Sequence, residues 1–189
     1  MTSFYSEEEL RQLGFRRCGK NVQISRHAKF YGISNISLGD HVRIDDFCIL
    51  SGHIAIGSYV HLAPAVLMFA GDAGIILSDY TGISSRCALY AATDDYSGMA
   101  MSNPTVPEKY RSVSSAPIVL EKHVLIGTGC TVLPGVNLAE GTSVGAMSLL
   151  NRSTKPWGIY YGSPAKRRQE RQRDLLALCR EFEASLTQE

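Results

Sequence analysis

What this chain lacks narrows its chemistry before any motif is read. Its 189 residues include one tryptophan, five histidines and five cysteines. Cys18, Cys48, Cys87, Cys130 and Cys179 are scattered, odd in number and never form a CxxC pair. That argues against a disulfide framework and against a zinc knuckle. Net charge is only +1, so the overall balance calls for neither nucleic acid nor a membrane surface. No apolar run approaches the roughly 18 residues needed to cross a bilayer. The opening MTSFYSEEEL is acidic where a signal peptide is basic and then apolar, so a cytoplasmic address is expected. The apolar fraction of 44% and the charged fraction of 20% are ordinary for one folded domain with a small appendage.

What is present is a repeat of six. Leu38, Ile44, Leu50, Ile56 and Leu62 follow one another at that spacing, the phase shifts across LMFAGDAGII, and it resumes at Leu77, Ile83 and Leu89. After an interruption it returns as Leu120, Ile126, Val132, Leu138, Val144 and Leu150. One step on, the residues are mostly small or turn-forming, as at Gly39, Asp45, Gly57, Ser84, Gly127 and Gly145. Four steps on they are small or β-branched, as at Val42, Cys48, Val60, Cys87, Val124 and Cys130. Periods of 3.6 and 2 belong to helices and ordinary strands, and neither yields this pattern. Short flat strands do, each sending one aliphatic side chain into a narrow interior before a turn. Three strands close a triangular coil, and coils stack about 4.8 Å apart through backbone hydrogen bonds. The expected fold is all-β: a parallel β-helix of four to five coils, preceded by an irregular turn over 22–35. Cys48, Cys87 and Cys130 share one register and read as small buried core residues.

Three segments escape the repeat. Ser6 and Glu9 have capping-box spacing ahead of Leu10 and Leu13, which places a helix within residues 1–19. The β-helix domain is expected over 20–166. Residues 91–117, AATDDYSGMAMSNPTVPEKYRSVSSAP, lack periodic apolar positions and read as a protruding loop. Loops of this length in compact domains are usually functional or disordered, and interleaved Tyr96, Glu108, Lys109 and Tyr110 favour function. Leu175, Leu176, Leu178, Cys179, Phe182 and Leu186 form an apolar stripe at helical spacing, so a helix is expected over 167–189. The arginines of RRQERQR fit its solvated face.

LIGTGCTVLPGVNLAEGTSVGAMSLL, with the other hexads, resembles the hexapeptide-repeat acyltransferases over roughly residues 20 to 168. The resemblance implies a left-handed helix, a homotrimer with sites at subunit boundaries, and acyl transfer from acetyl-CoA to a hydroxyl or amino group of a sugar. In the similar maltose and galactoside acetyltransferases a protruding loop walls the acceptor site and carries the base, a histidine. Here the matching turn is Ala92-Thr93-Asp94-Asp95-Tyr96, so Asp95 stands where that histidine would be. The family's coenzyme groove implies roles for Thr128 and Ala146 on the pantetheine arm and for Arg152 and Lys166 on the phosphates. Gly145-Ala146-Met147-Ser148-Leu149-Leu150-Asn151-Arg152 and Gly162-Ser163-Pro164-Ala165-Lys166 match its closing segments.

Acyl transfer from a thioester needs a base for the acceptor's proton, donors for the oxyanion and a slot for the pantetheine. Histidine suits the first, since its pKa lies near neutrality. His27, His41 and His53 read as surface residues, whereas His61 and His123 flank the interruption. His61 is taken as the base, with Asp94 or Asp95 orienting it or holding the acceptor, His123 as the second candidate, and Tyr96 and Tyr110 as acceptor contacts. A carbonic anhydrase on the same fold would need two histidines separated by four residues, and no such pair exists, so no metal is expected. Two other readings stay open: an antibiotic acetyltransferase, and a β-helix binding protein that has lost its base.

Overall fold

A computed structural model describes residues 3–186. Seven strands lie in parallel on the first face of a three-sided prism: Gln23–Ile24, Arg43–Ile44, His61–Leu62, Gly82–Ile83, Leu125–Ile126, Ser143–Val144 and Gly158–Tyr161. The other two faces merge in the early coils, because Ile49–Ile56 and Leu67–Leu77 bend around the third corner without ending. Gly52, at φ +91°, makes the first of those bends, and a Cβ there would lie 2.5 Å from the Gly71 backbone nitrogen. The architecture is the expected left-handed β-helix with a protruding loop and one C-terminal helix.

All fourteen positions of the repeat point inward. Leu38, Ile44, Leu50, Ile56, Leu62, Leu77, Ile83, Leu89, Leu120, Ile126, Val132, Leu138, Val144 and Leu150 are each at most 4% exposed. Burying such side chains contributes roughly 1.5–3 kcal/mol apiece, which makes the column the main source of stability. The cysteines of the second register are packed beside it. Cys48, Cys87 and Cys130 donate to the carbonyls of Ala63, Gly127 and Gly145 on the next coil, at 3.2, 3.1 and 3.2 Å. Burial pushes the Cys48 thiol up to about 11, so the reactive thiolate is suppressed.

Three expectations need correction. The prism has about seven turns, more than the four to five counted from hexads. The stretch 22–35 is regular: Gln23–Ile24 and Lys29–Tyr31 pair in parallel with the following coil. Half-exposed Phe30 sits in its inward row, and the register slips two residues before Leu38, which hid the coil. The helix expected from residue 167 begins at Leu175, because Lys166–Glu170 turns back as an antiparallel strand on Gly158–Tyr161. Residues 187–189 lie outside the described part.

Helix α1 (Glu7–Gln12) closes one end of the column and buries Leu10. Its capping box forms as expected: the Ser6 hydroxyl accepts from Glu9 N, and Glu9 Oε2 accepts from Ser6 N at 2.7 Å. Helix α2 (Leu175–Leu186) lies along the first corner, where the Tyr80 hydroxyl donates to Glu183 at 2.9 Å and Phe182 meets the Tyr59 ring edge-on. Among the described residues no helix is long and apolar enough to cross a membrane.

Candidate functional site

The first corner explains two histidines. Asn21, His41, Tyr59, Tyr80, His123, Gly141 and Trp157 occupy one turn position in successive coils, each with φ between +54° and +68°. A turn that repeats every coil stacks its side chains. The rings of His41 and Tyr59 lie 4.6 Å apart, Tyr59 and Tyr80 5.3 Å, Tyr80 and His123 5.1 Å. His123 is therefore a rung of an aromatic ladder. Burial holds its imidazole below the usual range, and Arg171 of the tail clamps its carbonyl at 2.7 Å.

His61 sits beside this ladder on the first face. It shares with His123 a shallow hollow of about 240 Å³, closed on one side by Arg171 and Leu175. Its Nε2 lies 2.7 Å from Asp45 Oδ2, and the other oxygen of Asp45 accepts from Arg43 Nε at 2.8 Å. Burial pushes the Asp45 carboxyl up, but the hydrogen bonds from His61 and Arg43 outweigh it and leave the group below its usual range. The result is an ionised carboxylate holding a half-exposed imidazole.

The second corner gathers three of the four residues expected to contact the coenzyme, Thr128, Ala146 and Lys166. Ser85, Thr128 and Ala146 form one row and Ser84, Gly127 and Gly145 the next. Thr128 Oγ1 donates to the Ser85 carbonyl at 2.7 Å, and Met147 N donates to the Thr128 carbonyl at 2.8 Å. The Thr128 N–H and both backbone groups of exposed Ala146 have no backbone partner among the described residues. They are available to an amide-bearing ligand. A Cβ on Gly127 would lie 2.7 Å from Ala146 N, so glycine keeps this edge narrow. Lys166 follows Ala165, whose N–H bonds the Leu149 carbonyl at 2.8 Å, and thus belongs to this corner. Arg152 does not. It follows Leu149–Leu150 and reaches the third corner, a strand's length away.

The excursion leaves the third corner through a neck where Ala116 N donates to the Ala91 carbonyl at 3.0 Å. Ala92–Asp94 pairs antiparallel with Val113–Ser115. The two aspartates then differ sharply. Asp95 accepts from Ser97 N, Ser97 Oγ and Ala100 N at 3.0, 3.0 and 3.1 Å. Those hydrogen bonds, Ser97's first, hold its carboxyl below the usual range and engage it in the loop's own turn. Asp94 accepts one long contact, from Asn103 N at 3.4 Å. Tyr96 is 93% exposed and Tyr110 51%. Within the chain, the excursion and the His61 face are on opposite sides of the prism. Among the described residues no group of three or more His, Cys, Asp or Glu side chains is placed to hold a metal ion.

No family model matches the sequence. The chain is 42% identical over 186 residues, 97% of its length and 96% of the relative's, to a dTDP-4-amino-4,6-dideoxy-D-glucose acyltransferase of Escherichia coli. This chain belongs to the hexapeptide-repeat acyltransferases. Among solved structures, this acyltransferase resembles AntD, an N-acyltransferase from Bacillus cereus in complex with dTDP and 3-hydroxybutyryl-CoA. Identity is 46%, TM-score 0.97, and the match covers 99% of this chain and 100% of that one. AntD has also been solved as D94A and D94N variants, and as an S84A variant with dTDP-4-amino-4,6-dideoxyglucose and coenzyme A. A maltose O-acetyltransferase from Clostridium difficile 630 shares the fold at 16% identity and a TM-score of 0.56, over 88% of this chain and 75% of that one.

Ser84 follows the inward Ile83 at a step of the repeat that is mostly small or turn-forming, so the sequence does not single it out.

Proposed function

We propose that this acyltransferase moves an acyl group from an acyl-CoA to the amino group of a nucleotide-linked amino sugar, in the cytoplasm, as a homotrimer. One observation carries the reading: near-complete, 46% identical overlap with an N-acyltransferase that holds dTDP-4-amino-4,6-dideoxyglucose beside coenzyme A. The acceptor nitrogen attacks the thioester carbonyl, a tetrahedral oxyanion forms, and the coenzyme leaves as its thiol with the proton taken from the amine.

Residue roles follow from what each group has free. Asp94, with one long backbone contact, is assigned to the acceptor amine. AntD variants were made at the same number. Asp95 is assigned to shaping the turn. Thr128 and Ala146 offer backbone groups to the pantetheine, and Lys166 meets the phosphates. Ser84, at the start of the glycine row, is assigned to the reacting end of that slot. His61, oriented by Asp45, is the base we assign, and His123 supports its hollow. A trimer is what would bring one subunit's excursion toward another's His61, since a single chain keeps them apart.

The test is to incubate the enzyme with acetyl-CoA or 3-hydroxybutyryl-CoA and dTDP-4-amino-4,6-dideoxyglucose, and to follow thiol release and the product's mass. Amide product with either donor is expected; a monomer by light scattering at micromolar concentration would refute the shared site.

A further inference from the structure

The excursion carries two cations that its own structure does not use. Lys109 and Arg111 flank Tyr110 along a hollow of about 480 Å³, whose other wall is Gly98 to Met101. Among the described residues neither cation has a carboxylate within ion-pairing distance. Lys109 Nζ instead lies over the Tyr110 ring, 4.8 Å from its centroid. Arg111 is anchored by its backbone, which donates to the Glu108 carbonyl at 2.9 Å and bridges to Met101. Its Nε is buried with no hydrogen-bond partner. A buried, unsatisfied guanidinium nitrogen is costly, and a planar fork of donors suits phosphate oxygens better than a point charge does. Ala100, on the opposite wall, is tied to Asp95 at 3.1 Å. The cations and the aspartates therefore belong to one cradle, with Asp94 at its neck.

We propose that Arg111 and Lys109 form the subsite for the acceptor's diphosphate, so that the excursion holds the nucleotide while Asp94 holds the sugar amine. The proposal rests on the nucleotide-sugar reading above and places its charged half on named groups. Opposite charges sort the ligand along the loop: a dianionic bridge toward Lys109 and Arg111, an ammonium toward Asp94.

The test is isothermal titration of the intact enzyme with dTDP, thymidine and coenzyme A, comparing wild type with Arg111→Gln and Lys109→Gln. Loss of one charged contact should weaken dTDP about 10- to 100-fold, leave thymidine and coenzyme A unchanged, and flatten the salt dependence of dTDP binding. Lys109 is exposed, so Lys109→Gln decides the matter if Arg111→Gln does not fold. Wild-type dTDP affinity in folded Lys109→Gln and Arg111→Gln overturns the subsite and leaves the acyl-transfer reading intact. A wild type that acylates a plain amino sugar but binds no nucleoside diphosphate overturns both the subsite and the nucleotide half of that reading.

Discussion

Asp45 Oδ2 lies 2.7 Å from His61 Nε2, and Arg43 fixes the opposite carboxylate oxygen. With Asp45 ionised, Nε2 carries the proton and Nδ1 is left with its lone pair. The pair thus leaves one basic nitrogen on His61, which lines the hollow on the first face. His61→Ala is expected to lower kcat by about 100-fold or more, with little change in melting temperature because the side chain is half exposed. Near-normal turnover would make His61 a surface residue of the ladder's flank.

The two aspartates of the excursion should separate. Asp94→Asn removes the charge from a nearly unpartnered carboxylate and should lower kcat/KM for the amine acceptor by about 10-fold or more. Asp95→Asn keeps an oxygen to accept from the Ser97 and Ala100 amides and should change it far less. Steady-state kinetics on both variants, with acyl-CoA saturating, checks the order; equal losses would contradict it.

The coenzyme cations should separate too. Lys166 shares the second corner with Thr128 and Ala146, whereas Arg152 is across a face. Lys166→Ala is expected to raise the apparent KM for acyl-CoA several-fold, and Arg152→Ala by less unless a neighbouring subunit closes the groove. An unchanged KM in Lys166→Ala would reject the mapping.

Burial depresses the pKa of His123. Its proton is bound more readily in the unfolded chain, so its contribution to stability is complete above the ordinary imidazole value of about 6.5 and is lost as pH falls through and below it. His123→Phe keeps a ring between Tyr80 and Trp157 but cannot titrate. Melting temperature should therefore fall less from pH 7.5 to 5 in the variant than in wild type. Parallel curves would show that the rung does not titrate against folding.

Much of the prism was legible because its interior admits one aliphatic per strand. Leu50 or Ile126 cannot move one place without leaving the column, and the spacing of six is printed directly in the chain. The coils that escaped notice depart locally: Phe30 replaces an aliphatic, and Gly71 and Gly74 let Leu67–Leu77 run through a corner with extra residues. The site was less legible, for a different reason. His61 and His123 stand out in the sequence as candidates, but only the stacking through Tyr59 and Tyr80 reveals that His123 has a structural partner on each side. Asp94 and Asp95 are adjacent and alike in sequence, and only their hydrogen bonds tell them apart. Arg111 gave no signal at all, because an arginine's missing partner is a property of three-dimensional surroundings.

Core packing offers an independent check on the column. Ile83→Ala, at a position 1% exposed between His61–Leu62 and Leu125–Ile126, should cost about 2–5 kcal/mol. Chemical denaturation measures it, and a loss below about 1 kcal/mol would be incompatible with a close-packed interior.

The central claim is acyl transfer to the amine of a nucleotide-linked sugar, and the most direct measurement is product mass after incubation with acyl-CoA and dTDP-4-amino-4,6-dideoxyglucose. The account predicts one amide per coenzyme thiol released, with the sugar's free amine consumed in step. Thiol release with the amine untouched, or no release in the presence of that acceptor, would contradict it.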